Sequence, residues 1–217
     1  MILVPVKNLA FAKQRLASVM NQAARTQLAQ AMLFDVLEAV AGWDNRPDVG
    51  IVTNDPFALE LAKHFFFNLI PDPASRSETE AIERATHVCE SRGVDHTLVI
   101  PGDIPLISAS ELEMIFSAAP DQGSVLVPAA DGRGTNAALR RPAALFPLRF
   151  GNDSFRPHLA AAHATGTSCV VLSLPGIALD IDNPADLRQL AEAPGETRAQ
   201  QIARRMILSD LPLAANE

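Results

Sequence analysis

The 217-residue chain has only two cysteines, one tryptophan and no tyrosine. Cys89 and Cys169 stand alone and cannot build a disulfide scaffold or a zinc ribbon, so a reduced, cytoplasmic setting is expected. Aromatic residues make up 5% of the chain, and the run Phe65-Phe66-Phe67 reads as core, not as a base-stacking platform. Cations are the minority charge: 18 basic against 25 acidic residues leave a net −7. That balance argues against wrapping nucleic acid, although a small phosphorylated ligand needs only a few well-placed cations. No uncharged apolar run nears the roughly 18 residues of a membrane span, so neither nucleic acid nor a membrane is expected as a partner. The start, Met1-Ile2-Leu3-Val4-Pro5-Val6-Lys7, lacks a basic leader and a small-residue cleavage site and reads as a first strand. Two phosphate-binding signatures are also missing. There is no Gly-x4-Gly-Lys-Ser/Thr loop and no glycine fingerprint of a dinucleotide fold.

What is present suffices for one domain over residues 1–217, since 48% of the chain is hydrophobic. A chain of this size buries roughly 70% of its unfolded surface without needing a staple. Short β-rich runs alternate with helical patterns. Ile2–Val6, Val49–Thr53, Phe66–Ile70, Thr97–Pro101, Ser124–Pro128 and Ser168–Leu172 are predicted strands. Leu28, Met32, Val36 and Val40 give one apolar stripe over residues 21–41. Asp55-Pro56 and Asn183-Pro184 are cap-then-proline starts, while Ser77/Glu80 and Ser108/Glu111 have capping-box spacing. The alternation implies an α/β fold with a mostly parallel sheet covered on both faces. Ligands then sit beyond the carboxyl ends of the strands. A turn-rich break at 192–197 sets off a final helix, residues 198–208. This appendage is expected to pack on the core or on a second subunit, which leaves a homodimer open.

Five constellations could carry chemistry. Lys7, Lys13 and Arg15 come after the first strand, where they either neutralise a triphosphate or lie on a solvated face. Asp103, past the Pro101-Gly102 turn, either holds Mg²⁺ against phosphates or caps a helix. Ser108 already supplies that cap, which favours the metal. Asp180 and Asp182, two apart in an extended segment, can reach one ion together. The loop 131–136, Asp-Gly-Arg-Gly-Thr-Asn, permits close backbone approach and offers the Thr135 and Asn136 side chains, or is simply a hairpin turn. Phe150-Gly151-Asn152-Asp153-Ser154-Phe155 opens a helix whose free N–H groups and Ser154 hydroxyl form an anion site, unless Asp153 or Ser154 caps it. His158, one turn on, is a candidate phosphate contact, and Cys89 reads as a core thiol.

In this order these residues resemble the guanylyltransferase family of coenzyme F-420 biosynthesis, relatives of the molybdenum-cofactor guanylyltransferases. The likeness rests on Lys7 with Ala12-Lys13-x-Arg15-Leu16, on Pro101-Gly102-Asp103-x-Pro105-Leu106, on Gly134-Thr135-Asn136-Ala137, on Phe150-Gly151-x-x-Ser154-Phe155-x-x-His158, and on Leu179-Asp180-x-Asp182-x-Pro184-x-Asp186-Leu187. It implies a three-layer, GT-A-like (Rossmann-like) nucleotidyltransferase that joins GMP from GTP to 3-phosphoglycerate, phosphoenolpyruvate or 2-phospholactate, ranked in that order, with release of pyrophosphate. On this reading Asp103, Asp180 and Asp182 hold Mg²⁺, and Lys13 and Arg15 neutralise the leaving phosphates beside Lys7. Thr135, Gly151 and Ser154 cradle the acceptor's phosphate, and the base lies near the first loop and Asp72–Thr79. One departure stands out: Ser77-Glu78-Thr79-Glu80-Ala81 replaces the family's common Gly-Leu-Asn-x-Ala. The alternatives are a related nucleotidyltransferase with a molybdopterin or sugar-phosphate acceptor, a GT-A glycosyltransferase, and a non-catalytic nucleotide-binding protein.

Overall fold

The computed structural model describes residues 1–72, 77–151 and 153–209. Seven strands form one sheet: β1 (Ile2–Val6), β2 (Val49–Thr53), β3 (Asn68–Pro71), β4 (Thr97–Val99), β5 (Gly123–Pro128), β6 (Thr135–Arg141) and β7 (Ser168–Val171). Their order is β3-β2-β1-β4-β6-β5-β7. Only β6 runs against its neighbours, pairing antiparallel with β4 and β5. All five residues of β1 are buried, and so are all five of β2. Such two-sided burial needs helices on both faces.

Those helices are α1 (Gln22–Ala41), α2 (Pro56–His64), α3 (Glu78–Ser91), α4 (Ala109–Ser117), α5 (Phe155–Ala164), α6 (Pro175–Ala178), α7 (Pro184–Glu192) and α8 (Arg198–Ser209). Leu33, Val36, Leu37 and Val40 of α1 pack with Ile2, Val4 and Ile51 on one face of the sheet. Ala81, Ile82, Ala85 and Cys89 of α3 pack with Leu3, Val52 and Val99 on the other. The opposite side of α1, through Leu28, Ala29 and Met32, meets Leu187 and Leu190 of α7 and Ala199 and Ala203 of α8. The final helix therefore packs on the core, as expected. The Asp35 carboxylate accepts from the Arg198 and Ala199 N–H groups at 3.1 and 2.8 Å, satisfying two orphan donors of α8.

Four helix starts follow the caps read from the sequence: Asp55, Ser77, Ser108 and Asn183 accept from first-turn N–H groups, and Ser108/Glu111 and Asn183/Asp186 close full capping boxes. Asn21, not read as a cap, does the same for α1. The strand predicted over Phe66–Ile70 begins later, because Phe66 turns left-handed (φ 56°) to end α2. Phe65 and Phe67 pack on the core, but Phe66 is 94% exposed, which corrects the reading of the whole triplet as core. β6 was not predicted. Its sequence, Thr-Asn-Ala-Ala-Leu-Arg-Arg, has little β-branched or aromatic character, and its place beside β4 and β5 comes from burial of Ala137, Ala138 and Leu139.

Candidate active site

The segment after β1 does not enter α1 directly. It folds as two single 3₁₀ turns, Leu9–Phe11 and Gln14–Leu16. Asp55, the cap of α2, pins the first turn: one carboxylate oxygen accepts from the Leu9 N–H at 2.9 Å while the other serves Phe57 and Ala58. Between the turns Lys13 adopts a left-handed conformation, φ 56° and ψ 42°. For a residue with a Cβ this costs on the order of 1 kcal/mol. It aims the side chain inward, leaving it 7% exposed.

There the Lys13 ammonium bridges two carboxylates. Its Nζ lies 2.5 Å from Asp103 Oδ2 and 3.0 Å from Asp182 Oδ1, and the exposed Arg15 reaches Asp182 Oδ2 at 3.4 Å. The two acidic segments also meet through their backbones, the Ile181 N–H donating to the Asp103 carbonyl at 3.2 Å. Asp186 in turn fixes the second segment by accepting from the Asp182 N–H at 2.8 Å. Asn136 on β6 donates to Asp180 Oδ1 at 3.0 Å and to the Ile177 and Ala178 carbonyls. Four distant stretches of sequence thus converge on one site.

Electrostatics separate Asp180 from Asp182. Burial opposes charge on Lys13, yet Asp103 and Asp182 outweigh it and hold the ammonium above its ordinary value. Burial likewise works against charge on Asp182, but Lys13 and Arg15 keep its pKa low. Asp180 is raised, first by burial; the Asn136 hydrogen bond opposes this, and the Asp103 and Asp182 charges add to it. Among the described residues no three His, Cys, Asp or Glu side chains form a ready-made metal cluster. The donor chemistry nevertheless fits a hard divalent cation. Asp103 and Asp182 already converge on a positive charge, and Mg²⁺ is usually held by one or two carboxylates with substrate phosphates and water completing the set.

Two cavities flank this trio. One of about 280 Å³ lies under the first loop and is lined by Lys7, Leu9, Phe11, Lys13, Glu78 and Asp103, among others. The second, about 370 Å³, is strongly polar and is lined by Arg15, Arg133, Gly151, Asp153, Asp180 and Asp182 with neighbouring loop residues. The largest described cavity, about 720 Å³, lies between α3 and residues 144–148 and touches none of these aspartates. Of the expected residues, Lys7, Lys13 and Asp103 border the first cavity, and Arg15, Gly151, Asp180 and Asp182 the second. Asp72 borders neither; its largely buried side chain is 3.9 Å from Arg84. Residues 73–76 of the expected base region, and Asn152, fall outside the described residues.

Thr135 and Ser154 are buried next in the chain to lining residues Gly134 and Asp153. Ser154 does not cap α5 with its side chain. Its hydroxyl donates to Thr135 Oγ1 at 3.3 Å. His158 joins them: its Nε2 accepts from the Arg149 N–H at 2.7 Å, so the neutral ring carries its proton on Nδ1, 2.9 Å from Thr135 Oγ1. Burial, helped by the Arg140 charge, lowers the His158 pKa to about 4 from 6.5. Between those values the unfolded chain binds the proton that the folded ring refuses. Stability from this group is therefore complete above pH 6.5 and is lost as pH falls toward 4. We expect a loss of roughly 2 kcal/mol over that window, measured as a falling urea midpoint and absent from His158→Gln. An equal decline in the variant would contradict it.

Sequence reasoning missed Arg133 and Asp55, and it named Glu78 only as part of the stretch Asp72–Thr79 expected near the base. Arg133 forms a two-point pair with Asp153, 2.5 and 3.1 Å, across the second cavity. Asp55 announced itself only as a cap. Glu78 faces the first cavity from the first turn of α3.

Comparison with known proteins bears on the fold and the family. A family model described as "Guanylyl transferase CofC like" matches residues 1–214. Phosphoenolpyruvate guanylyltransferase of Roseiflexus castenholzii is 35% identical over 95% of this chain and 94% of its own. 2-Phospho-L-lactate guanylyltransferase of Methanothermobacter thermautotrophicus is 30% identical over 94% and 89%. Among solved structures, a chain from Desulfovibrio desulfuricans G20 described as a nucleotide-diphospho-sugar transferase has a TM-score of 0.77 at 18% identity, covering 96% of both chains. 4-Diphosphocytidyl-2C-methyl-D-erythritol synthase has a TM-score of 0.59 at 14% identity, over 87% of this chain and 95% of that one. Likeness at such identity speaks for the fold, which is that of GT-A-like nucleotidyltransferases. With its fold, the order of its motifs and the family match over nearly its whole length in agreement, the chain belongs to the CofC-like guanylyltransferase family.

Proposed function

We propose that the protein transfers GMP from GTP to the phosphate of a small phosphorylated three-carbon carboxylic acid, in the cytoplasm, as a step of coenzyme F-420 biosynthesis. The observation that carries this is the pair of cavities meeting at one wall. Lys13 and Asp103 border the first, Asp182 and Arg15 border the second, and the Lys13 ammonium joins Asp103 to Asp182. A nucleotide in one cavity and an acceptor in the other would bring their phosphates together at that wall.

The acceptor's phosphate oxygen attacks the α-phosphorus of GTP in line. A new phosphoanhydride bond forms, the α–β bond breaks, and pyrophosphate leaves with its electron pair. A phosphate dianion is already nucleophilic, so no general base is needed, and catalysis is positioning plus charge neutralisation. Lys13 and Arg15 stand where negative charge gathers. Arg133 and the backbone at Gly151 are placed to receive an anionic group in the second cavity. Thr135, with Ser154 and His158 as its partners, fixes the loop from behind. Mg²⁺, held by Asp103, Asp180 and Asp182, would supply further neutralisation of the phosphates when bound.

The sequence placed 3-phosphoglycerate ahead of phosphoenolpyruvate and 2-phospholactate. The relatives' names support moving phosphoenolpyruvate ahead of 3-phosphoglycerate. Incubation of protein, GTP and Mg²⁺ with each acid separately, followed by mass spectrometry, should yield a guanylylated acid and pyrophosphate. Product only with a sugar phosphate or molybdopterin would overturn the acceptor class.

A further inference from the structure

We infer that Arg133 binds the carboxylate of the acceptor through the end of its guanidinium, while Asp153 grips the guanidinium's side edge and so positions it. This rests on the proposed transfer to a phosphorylated acid in the second cavity.

That reaction brings the acceptor's phosphate to the wall shared by the two cavities, so the acid's other end lies away from that wall. Among the described residues two cations border the second cavity, Arg15 and Arg133. Arg15 reaches Asp182 at the wall. Arg133 stands on the hairpin loop between β5 and β6, and its ion-pair partner is Asp153, just ahead of α5. The remaining charged side chains on this cavity are all aspartates. A carboxylate entering beyond the wall therefore has one cation to meet, and it is Arg133.

The pair with Asp153 uses only part of the guanidinium. Nε donates to Oδ1 at 2.5 Å and Nη2 to Oδ2 at 3.1 Å, which occupies the side edge of the fork. Arginine carries five N–H groups. Both of those on Nη1 and the second on Nη2 have no acceptor among the described residues. One from each nitrogen makes the end fork, a parallel pair that matches the two oxygens of a carboxylate. Asp153 thus does not compete with the acid for one edge. It restrains a long side chain whose rotamer freedom would otherwise be lost on binding. Folding gains little from the pair, because both side chains are 63% exposed. The backbone beneath is fixed separately: the Arg133 N–H donates to Asp131 Oδ1 at 2.8 Å, and the Arg133 carbonyl accepts from the Phe155 N–H at 2.8 Å. The two loops stay joined when either side chain is replaced. Asparagine at 153 also tolerates the left-handed backbone found there, φ 58°.

The test measures KM for the acid that the wild type uses, KM for GTP, and the affinity of the matching carboxylate-free phosphate as a competitor, each variant being checked by thermal melting. The competitor is vinyl phosphate for phosphoenolpyruvate, glycerol 3-phosphate for 3-phosphoglycerate and ethyl phosphate for 2-phospholactate. Arg133→Met should raise KM for the acid by at least about 10-fold, weaken the competitor far less and leave KM for GTP near wild type. Arg133→Lys should recover little, since it restores a point charge but not the fork. Asp153→Asn should raise KM for the acid by a smaller factor, about 3-fold, and should add nothing in the Arg133→Met background. A near-wild-type KM for the acid in folded Arg133→Met would overturn the inference. So would an equal loss for acid and competitor, which would place Arg133 on the phosphate. Full recovery in Arg133→Lys would overturn recognition by the fork, and an undiminished Asp153→Asn effect in the double variant would overturn the positioning role. A wild-type protein that guanylylates none of the three acids would instead overturn the proposed function, and the two failures are distinguishable on that ground.

Discussion

Asp182→Asn should reduce nucleotidyl transfer by on the order of 10³-fold or more at saturating Mg²⁺, and Asp103→Asn by a similar factor. Asparagine matches aspartate in shape but carries no charge. Each change therefore removes one of the two carboxylates that converge on Lys13 and weakens any cation site built from them. The fold should survive, because neither side chain supports the core. Asp103 is 29% and Asp182 42% exposed, and the ties from the Ile181 N–H to the Asp103 carbonyl and from the Asp182 N–H to Asp186 do not depend on the substituted oxygens. Steady-state pyrophosphate release alongside a melting curve checks this. Near-normal turnover in a folded variant would contradict the assignment.

Lys13→Met should cost at least about 10²-fold in kcat and, unlike the aspartate changes, should destabilise the metal-free protein. Methionine retains much of the stem's volume, so what is lost is mainly the ammonium. Asp103 and Asp182 are then left facing each other without their shared cation, and like charges at that range repel. A fully buried pair broken this way loses several kcal/mol. With both carboxylates partly in water we expect about 1–2 kcal/mol, a few degrees in Tm. The sign on adding Mg²⁺ is diagnostic. A cation that binds only the folded state raises its stability, and the variant's emptied carboxylate pair should take it more readily than the wild type, where Lys13 competes. The Tm rise on adding MgCl₂ should be larger in Lys13→Met than in wild type. An equal or smaller rise would show that Lys13 and the metal do not share this position.

The acidic half of the site was legible because its residues obey a topological rule. Asp103 follows a strand end directly, and Asp180 and Asp182 share an extended segment just ahead of a capped helix. The placement of Lys13 was not legible, since only its left-handed backbone turns a loop lysine inward. Asp55 was hidden by its double use, as its capping role is sequence-local while its bond to Leu9 spans 46 positions. Glu78 was placed only coarsely, within the stretch expected near the base, because an acidic residue in the first turn of a helix is ordinary helix chemistry. The Ser154 hydroxyl could have capped α5 by its spacing; tertiary packing against Thr135 and His158 claimed it instead. β6 was missed for want of β-branched residues, although the hairpin reading of 131–136 was right: the Ala129 N–H donates to the Gly134 carbonyl at 2.9 Å, closing the loop between β5 and β6.

The most direct measurement follows the label from GTP carrying ³²P at either the α or the γ position, incubated with the protein, Mg²⁺ and phosphoenolpyruvate. The account predicts that α-label appears in a product joined to the acid and that γ-label leaves only as pyrophosphate. Release of γ-label as inorganic phosphate, or its appearance on the acid, would contradict attack at the α-phosphorus and with it the guanylyl transfer on which the reading of the site depends.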